Sequence, residues 1–300
     1  MQTQDGTGAS RIRIALCHLE SVVCLPAINQ LFDEFGDQIG LILISNRFSG
    51  KQGGAARQFV RGVRRSGLPL TLWLGFDILA AQVLSGIAKI VRPRHSAFRP
   101  VRVLARRYGS SVMQTADVNS SDCLDAIRAY RPDVVLVMNF DQILRQPLIG
   151  IPLWGVLNIH PSMLPMYRGP CPVFWALVAR QDRVGVTLHL IEDTSIDSGP
   201  IVHQVVAQLD PERSVAEITA KLFLQGASAV RPALERVARG EGPLCRQPQN
   251  PVHYFNFPKA AEVRDARRRG LRFCRFSHLV RLAAATFGII AVSPDTLERC

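Results

Sequence analysis

Asn158 and His160 stand one residue apart in "GVLNIHPSMLPMYRGP" (155–170), directly after an apolar run. On a β-strand the period of two sends both side chains to one face. An asparagine amide is a neutral hydrogen-bond donor, suited to an oxyanion forming on an attacked carbonyl. A histidine titrates near neutral pH and can take or return a proton. If the strand ends here, both groups reach the carboxyl edge of a sheet, where open α/β folds bind ligands. The prolines of "PSMLP" then fix two φ angles and stiffen the loop that follows. The competing structural reading is a surface hairpin with Asn158 capping a turn.

A second constellation lies downstream in "IEDTSIDSGPIVHQ". Asp197 sits in an S-I-D-S-G-P turn, where a carboxylate could orient His160 and relay protons through water. Asn, His and Asp without a nucleophilic Ser or Cys suit direct attack of an amine or water on an activated acyl group. No covalent acyl-enzyme is needed. The structural alternative for Asp197 is a plain turn residue. His189 and His203, on predicted strands, read as packing or surface residues, and Trp154, Phe174 and Trp175 as packing.

Strand-like runs at 11–19, 39–45, 133–138, 155–160, 185–191 and 201–209 carry these residues. They alternate with helical stretches such as "CLPAINQLFDEFG", which ends at Gly36. The pattern implies an α/β fold, a Rossmann-like, mainly parallel mixed sheet with flanking helices. A helical insertion is expected at about 51–100: a basic helix to Ser66, then the apolar run 68–91. That run contains Asp77, Gln82 and Lys89 and has basic flanks, so it reads as a packed accessory helix before an interfacial one, with a membrane span last. Residues 1–10 read as a frayed tail, 11–210 as the catalytic domain and 211–300 as a basic, helical C-terminal extension, in which 211–241 reads as a helix or helix pair covering the sheet.

The 300 residues carry a net charge of +12 and a pI near 10.0, which points to anionic partners without choosing among them. Seven cysteines show no C-x-x-C spacing, so neither a zinc site nor a disulfide framework is indicated. Reduced thiols and the lack of a signal pattern fit a cytoplasmic protein. "RDARRRGLRFCRF" reads as a solvated basic helix face, with a phosphate or membrane-surface role as its alternative. The pair Gly53-Gly54 is too weak a signal for a phosphate cradle.

The paired stretches "NIHPSMLPMYRG" and "GVTLHLIEDTSIDSGPI" resemble the signature of the 10-formyltetrahydrofolate-dependent formyltransferases. That family includes glycinamide ribonucleotide, methionyl-tRNA and nucleotide-sugar formyltransferases and the related deformylase. The likeness covers roughly residues 130–210, and the first strand and helix only loosely. It implies Asn158, His160 and Asp197 as the catalytic trio, with no metal. It implies 10-formyltetrahydrofolate as donor, held by "NFDQIL" through Phe140, Gln142, Ile143 and Leu144, with Ile196 beside them. Ser162, Tyr167 and Arg168 would line the acceptor side.

The first-strand loop "CHLESVVC" lacks the family's Gly-Ser-Asn phosphate loop, which disfavours glycinamide ribonucleotide. The helical tail does not read as the β-barrel of the tRNA enzymes, so nucleic acid is disfavoured. The expected acceptor is a small-molecule amine, with a nucleotide sugar as the leading example. Alternatives are a formyltetrahydrofolate deformylase, a methionyl-tRNA formyltransferase-like enzyme or a noncatalytic folate-binding relative. Homo-oligomerisation and peripheral membrane contact stay open.

Overall fold

A computed structural model describes residues 12–46, 53–91, 99–248 and 254–286. The 1–10 tail, most of "SGKQGG" and the end of the apolar stretch 282–292 lie outside the described residues.

The element order begins with β1 (Ile14–His18), α1 (Leu25–Phe35) and β2 (Ile39–Ser45). The helical run α2 (Gly54–Val91), α3 (Val101–Tyr108), β3 (Ser111–Thr115), α4 (Ser121–Tyr130) and β4 (Val134–Met138) follow. Then come β5 (Val156–His160), α5 (Pro172–Val178), β6 (Arg183–Ile191) and β7 (Ile201–Gln208). Four helices close the described chain: α6 (Val215–Ser228), α7 (Val230–Ala238), α8 (Ala260–Arg268) and α9 (Phe276–Thr286).

One seven-stranded sheet runs in the order β3-β2-β1-β4-β5-β6-β7. The pairings from β3 to β5 are parallel, while β5–β6 and β6–β7 are antiparallel. The mixed, mainly parallel sheet expected from the sequence is therefore present. β1 and β4 are buried along their whole lengths because helices cover both faces, which explains their unbroken apolar runs. Strand order reverses between β1 and β4. There the Leu19 N–H donates to the Asn139 carbonyl at 2.9 Å, and Asn139 Nδ2 donates to the Leu19 carbonyl at 3.1 Å. Such a reversal opens a crevice at the carboxyl ends of the strands.

β3 is a strand the sequence reading did not find. Its SVMQT segment is mostly exposed at the sheet edge, so no apolar run announces it. The break inside α2 matches expectation: Gly67 has φ 79 and ψ 166, a conformation only glycine adopts readily, and Pro69 follows.

α6 and α7 belong to the main core, although both lie within the stretch read as a C-terminal extension. Ile218, Leu222 and Phe223 are buried against the cluster that holds Ile159 and Val186. Each such side chain contributes roughly 1.5–3 kcal/mol on burial. The Ser214–Glu217 capping box at the start of α6 contributes about 1 kcal/mol, so packing holds this helix more than its cap does. No disulfide links the described cysteines.

His18 closes β1 beneath the crevice, buried, with Nδ1 2.9 Å from the Met138 carbonyl. Burial lowers its pKa to about 4, against which the Met138 carbonyl works only partly. The unfolded chain binds the proton near pH 6.5 and the folded chain does not, so stability is lost as pH falls from about 6.5 towards 4. Urea unfolding between pH 7 and pH 5 is expected to show this loss, at up to about 1.4 kcal/mol per pH unit from this residue. His18→Gln should flatten the slope; an unchanged slope in the variant would contradict the assignment.

Candidate active site

β5 delivers Asn158 and His160 to the carboxyl side of the sheet, and its antiparallel pairing with β6 sets His189 directly opposite Asn158. The loop after β6 returns Asp197 to the same point. Asn158 Nδ2 lies 3.0 Å from His189 Nε2 and donates to Asp197 Oδ1 at 3.3 Å. His160 Nδ1 is 3.6 Å from Asp197 Oδ2, and His189 Nε2 is 3.5 Å from Asp197 Oδ1. The three residues singled out from sequence thus converge, and His189 joins them.

Asp197 is held by its backbone surroundings as well. It adopts φ 51, and its Oδ2 accepts the Gly169 N–H at 2.9 Å. Gly169 has φ 98, and a Cβ there would meet the Phe255 carbonyl oxygen at 2.4 Å, so glycine is required. Burial alone would raise the Asp197 carboxyl. His160, His189 and the Gly169 N–H outweigh it and hold the group down at about 2, so it is ionised at neutral pH.

Burial lowers the pKa of His160, and His189 adds to that effect; Asp197 and the Tyr167 carbonyl oppose it. The imidazole is therefore neutral at pH 7. Its Nε2 lies 3.2 Å from the Tyr167 carbonyl, so an acceptor faces each ring nitrogen. A neutral imidazole has one N–H and satisfies one of these acceptors; the protonated ring satisfies both. The site rests as a base and is ready to hold the cation.

His189 Nδ1 lies 3.0 Å from the Leu190 carbonyl, and its Nε2 faces both the Asn158 amide and Asp197. That arrangement fixes the Asn158 amide with its nitrogen towards His189 and Asp197. The sequence reading took His189 as packing. A histidine between two leucines on an apolar strand, in the register opposite Asn158, is the signal that would have found it. His203 stays half-buried on β7.

The remaining sequence-predicted residues fall into two groups. Ile143 and Ile196 are exposed, and Phe140 is partly buried against the core cluster that contains the buried Leu144. The Gln142 side chain ties strand ends together: it accepts from the Val118 N–H at 2.7 Å and donates to Ser45 Oγ at 2.9 Å and the Thr115 carbonyl at 3.2 Å. Asn119 steadies the same loop by donating to the Ile143 carbonyl at 2.9 Å.

On the other side, Ser162 Oγ donates to the Met166 carbonyl at 2.9 Å, and the Tyr167 ring packs on Phe255. Arg168 is buried. Its Nε and Nη2 donate to Gln247 Oε1 at 3.1 and 3.0 Å, and Nη2 donates to the Pro248 carbonyl at 2.8 Å. Gln247 Nε2 in turn donates to the carbonyls of Asp197 and Gly199, at 3.1 and 2.7 Å. Arg168 thus clamps the turn that carries Asp197, a role its sequence position did not reveal. Among the described residues no group of three His, Cys, Asp or Glu side chains is placed to hold a metal ion.

The chain is 37% identical over 172 residues to the methionyl-tRNA formyltransferase of Chloroflexus aggregans, covering 55% of each chain. It is 38% identical over 159 residues to that of Roseiflexus sp., covering 53% of this chain and 48% of the relative. The chain spans about half the length of the curated relatives it matches. The phosphoribosylglycinamide formyltransferase of Anaplasma phagocytophilum superposes with a TM-score of 0.53 at 15% identity. That superposition covers 82% of this chain and 99% of the other, a likeness of fold. The profile of the formyl transferase family matches residues 79–234, a stretch that contains Asn158, His160, His189 and Asp197; the chain belongs to the formyl transferase family.

Proposed function

We propose that the chain transfers a formyl group from 10-formyltetrahydrofolate to the amine of a small-molecule acceptor. The observation that carries this reading is the convergence of Asn158, His160 and His189 on one buried carboxylate at the end of β5. Such a site offers a hydrogen-bond donor and a neutral base but no nucleophile of its own.

The acceptor nitrogen attacks the formyl carbon, and the carbonyl oxygen takes up the negative charge. Asn158 supplies an N–H to that oxygen. The hydrogen now directed at Asp197 across 3.3 Å is the weaker of its two contacts and the one to be redirected. His160 takes the proton from the attacking nitrogen on Nε2, which exchanges its contact with the Tyr167 carbonyl for the amine, and Asp197 meets the Nδ1 N–H of the imidazolium. The bond from carbon to N10 then breaks, and His160 returns the proton to N10. One C–N bond has formed, one has broken and the base is restored.

The donor would lie along the loop after β4, with Ile143, Phe140 and Ile196 offering apolar surface and the loop backbone reading the ring. Gln142 and Leu144 would hold that loop in place, since their side chains are turned to the protein. Ser162, Tyr167 and Arg168 would shape the acceptor wall by fixing the 161–170 loop. The reading places the enzyme in the cytoplasm, as its scattered cysteines, unbridged among the described residues, favour. A second reading takes the acceptor amine to be that of an aminoacyl-tRNA. The methionyl-tRNA formyltransferases among the relatives and the net charge of +12 favour it.

The test follows tetrahydrofolate release from the donor with amino-sugar nucleotides, with methionyl-tRNA and with no acceptor. Release that depends on an amine is expected, and the productive amine decides between the two acceptor classes. His160→Ala and Asn158→Ala should each lower kcat by about 100-fold or more. Equal release without an amine would make the enzyme a hydrolase, and full activity in His160→Ala would sink the mechanism.

The base must be neutral, and its pKa lies below the ordinary 6.5. kcat/KM is therefore expected to stay flat on the acid side until the pH falls below about 6.5, and to decline beneath that. A rate that rises on acidification would contradict a histidine base.

A further inference from the structure

α2 has two apolar faces, and the fold uses one. Leu70, Ile78 and Ala81 are buried on the inner face, Leu70 in a cluster with α8 and Ala81 in one with α9. The outer face carries Leu68, Leu72, Phe76, Leu79, Val83 and Ile87, each 38% to 58% exposed. Their steps of three or four residues draw one stripe along the helix, about 29 Å long at 1.5 Å per residue. From Leu68 to Ile87 the only ionisable side chain is Asp77, and it faces inward. Contiguous apolar surface of this extent on a soluble face marks a contact site.

The charges around the stripe are mostly positive. Before the break at Gly67, α2 exposes Arg57, Arg61 and Arg64, and no acidic residue accompanies them. α8, packed beside α2, exposes Arg264, Arg267 and Arg268, and its exposed Asp265 is paired with Arg269 at 2.7 Å. α9 packs on the second half of α2 through Leu279 and Leu282 and adds the exposed Phe276 and Val280.

We propose that this face docks on a membrane leaflet rich in anionic phospholipid, with α2 lying in the plane of the interface. The apolar stripe enters the boundary between headgroups and acyl chains, and the arginines meet lipid phosphates. Insertion across the bilayer is a different matter. Asp77 is bonded to Ser21 Oγ at 2.6 Å and to the Val23 N–H at 3.2 Å, and Ser85 Oγ reaches Glu20 at 3.4 Å. A span would tear these contacts open and strip the inner face from the fold. A second copy of the chain fits less well than lipid, because α2 offers no exposed acidic side chain to meet a partner's arginines. The inference stands apart from the catalytic reading.

The test sediments the full chain with vesicles of phosphatidylcholine alone or mixed with phosphatidylglycerol, at low and high salt. Binding to the anionic vesicles is expected, weakened by salt and much lower on phosphatidylcholine. The triple variant Leu72→Glu, Phe76→Glu, Leu79→Glu touches only exposed positions and should lose the binding. Reversing Arg57, Arg61 and Arg64 to Glu should weaken it about tenfold or more. Circular dichroism verifies that both variants fold. Wild-type protein that stays in the supernatant would overturn the proposal, as would a triple variant that sediments like wild type. A dimer in solution that the triple variant converts to monomer, with no vesicle binding, would assign the stripe to self-association instead.

Discussion

One buried negative charge organises the site. The Asp197 carboxylate is largely withdrawn from bulk water, its side chain 12% exposed, and a charge so placed must be met by donors or cations close at hand. The chain answers with the Asn158 amide and the Gly169 N–H, and places His160 and His189 against the two oxygens. Each of these groups is thereby oriented. The carboxylate fixes which end of the Asn158 amide faces inward, favours the proton on His160 once it arrives, and anchors the tight turn at Gly169. Remove the charge and the amide, the two rings and the loop all lose their common reference.

The rest of the fold serves that point. Parallel strands from β3 to β5 bring their carboxyl ends to one edge, and the turn to antiparallel pairing at β6 sets His189 opposite Asn158. Gln247 and Arg168 hold the Asp197 turn from the far side, through hydrogen bonds between residues 79 and 80 apart in sequence and others 50 and 48 apart. The core helix α6 presses on the same strands: a Cβ at Gly226 would meet Ile159 Cγ2 at 2.5 Å and Val186 Cγ2 at 2.8 Å. Position, rather than any unusual side chain, makes the chemistry available.

Much of this was legible because local rules are strong where it matters. Period-two spacing put Asn158 and His160 on one face, and the Ser-Ile-Asp-Ser-Gly-Pro turn marked Asp197. Continuous apolar runs gave the buried strands nearly to their ends, and the change from a basic to an apolar run after Ser66 gave the break in the long helix. What escaped depended on partners distant in sequence. β3 is an edge strand without an apolar signature, and His189 acquires meaning only from its register against β5. Arg168, read from sequence as an acceptor contact, is committed to Gln247 and Pro248 because the chain after β7 folds back over the loop. The 211–241 segment reads as a helix or helix pair over the sheet, and α6 and α7 pack there, although which strands they cover depends on partners far off in sequence.

The most direct test is a 15N NMR titration of the His160 ring in the wild type and in Asp197→Asn. If the buried carboxylate governs the site, His160 is neutral at pH 7 and titrates below 6.5 in the wild type. In the variant its pKa falls further, because the charge that favoured the proton is gone. A His160 that is protonated at pH 7, or whose titration ignores the loss of the Asp197 charge, would contradict the account.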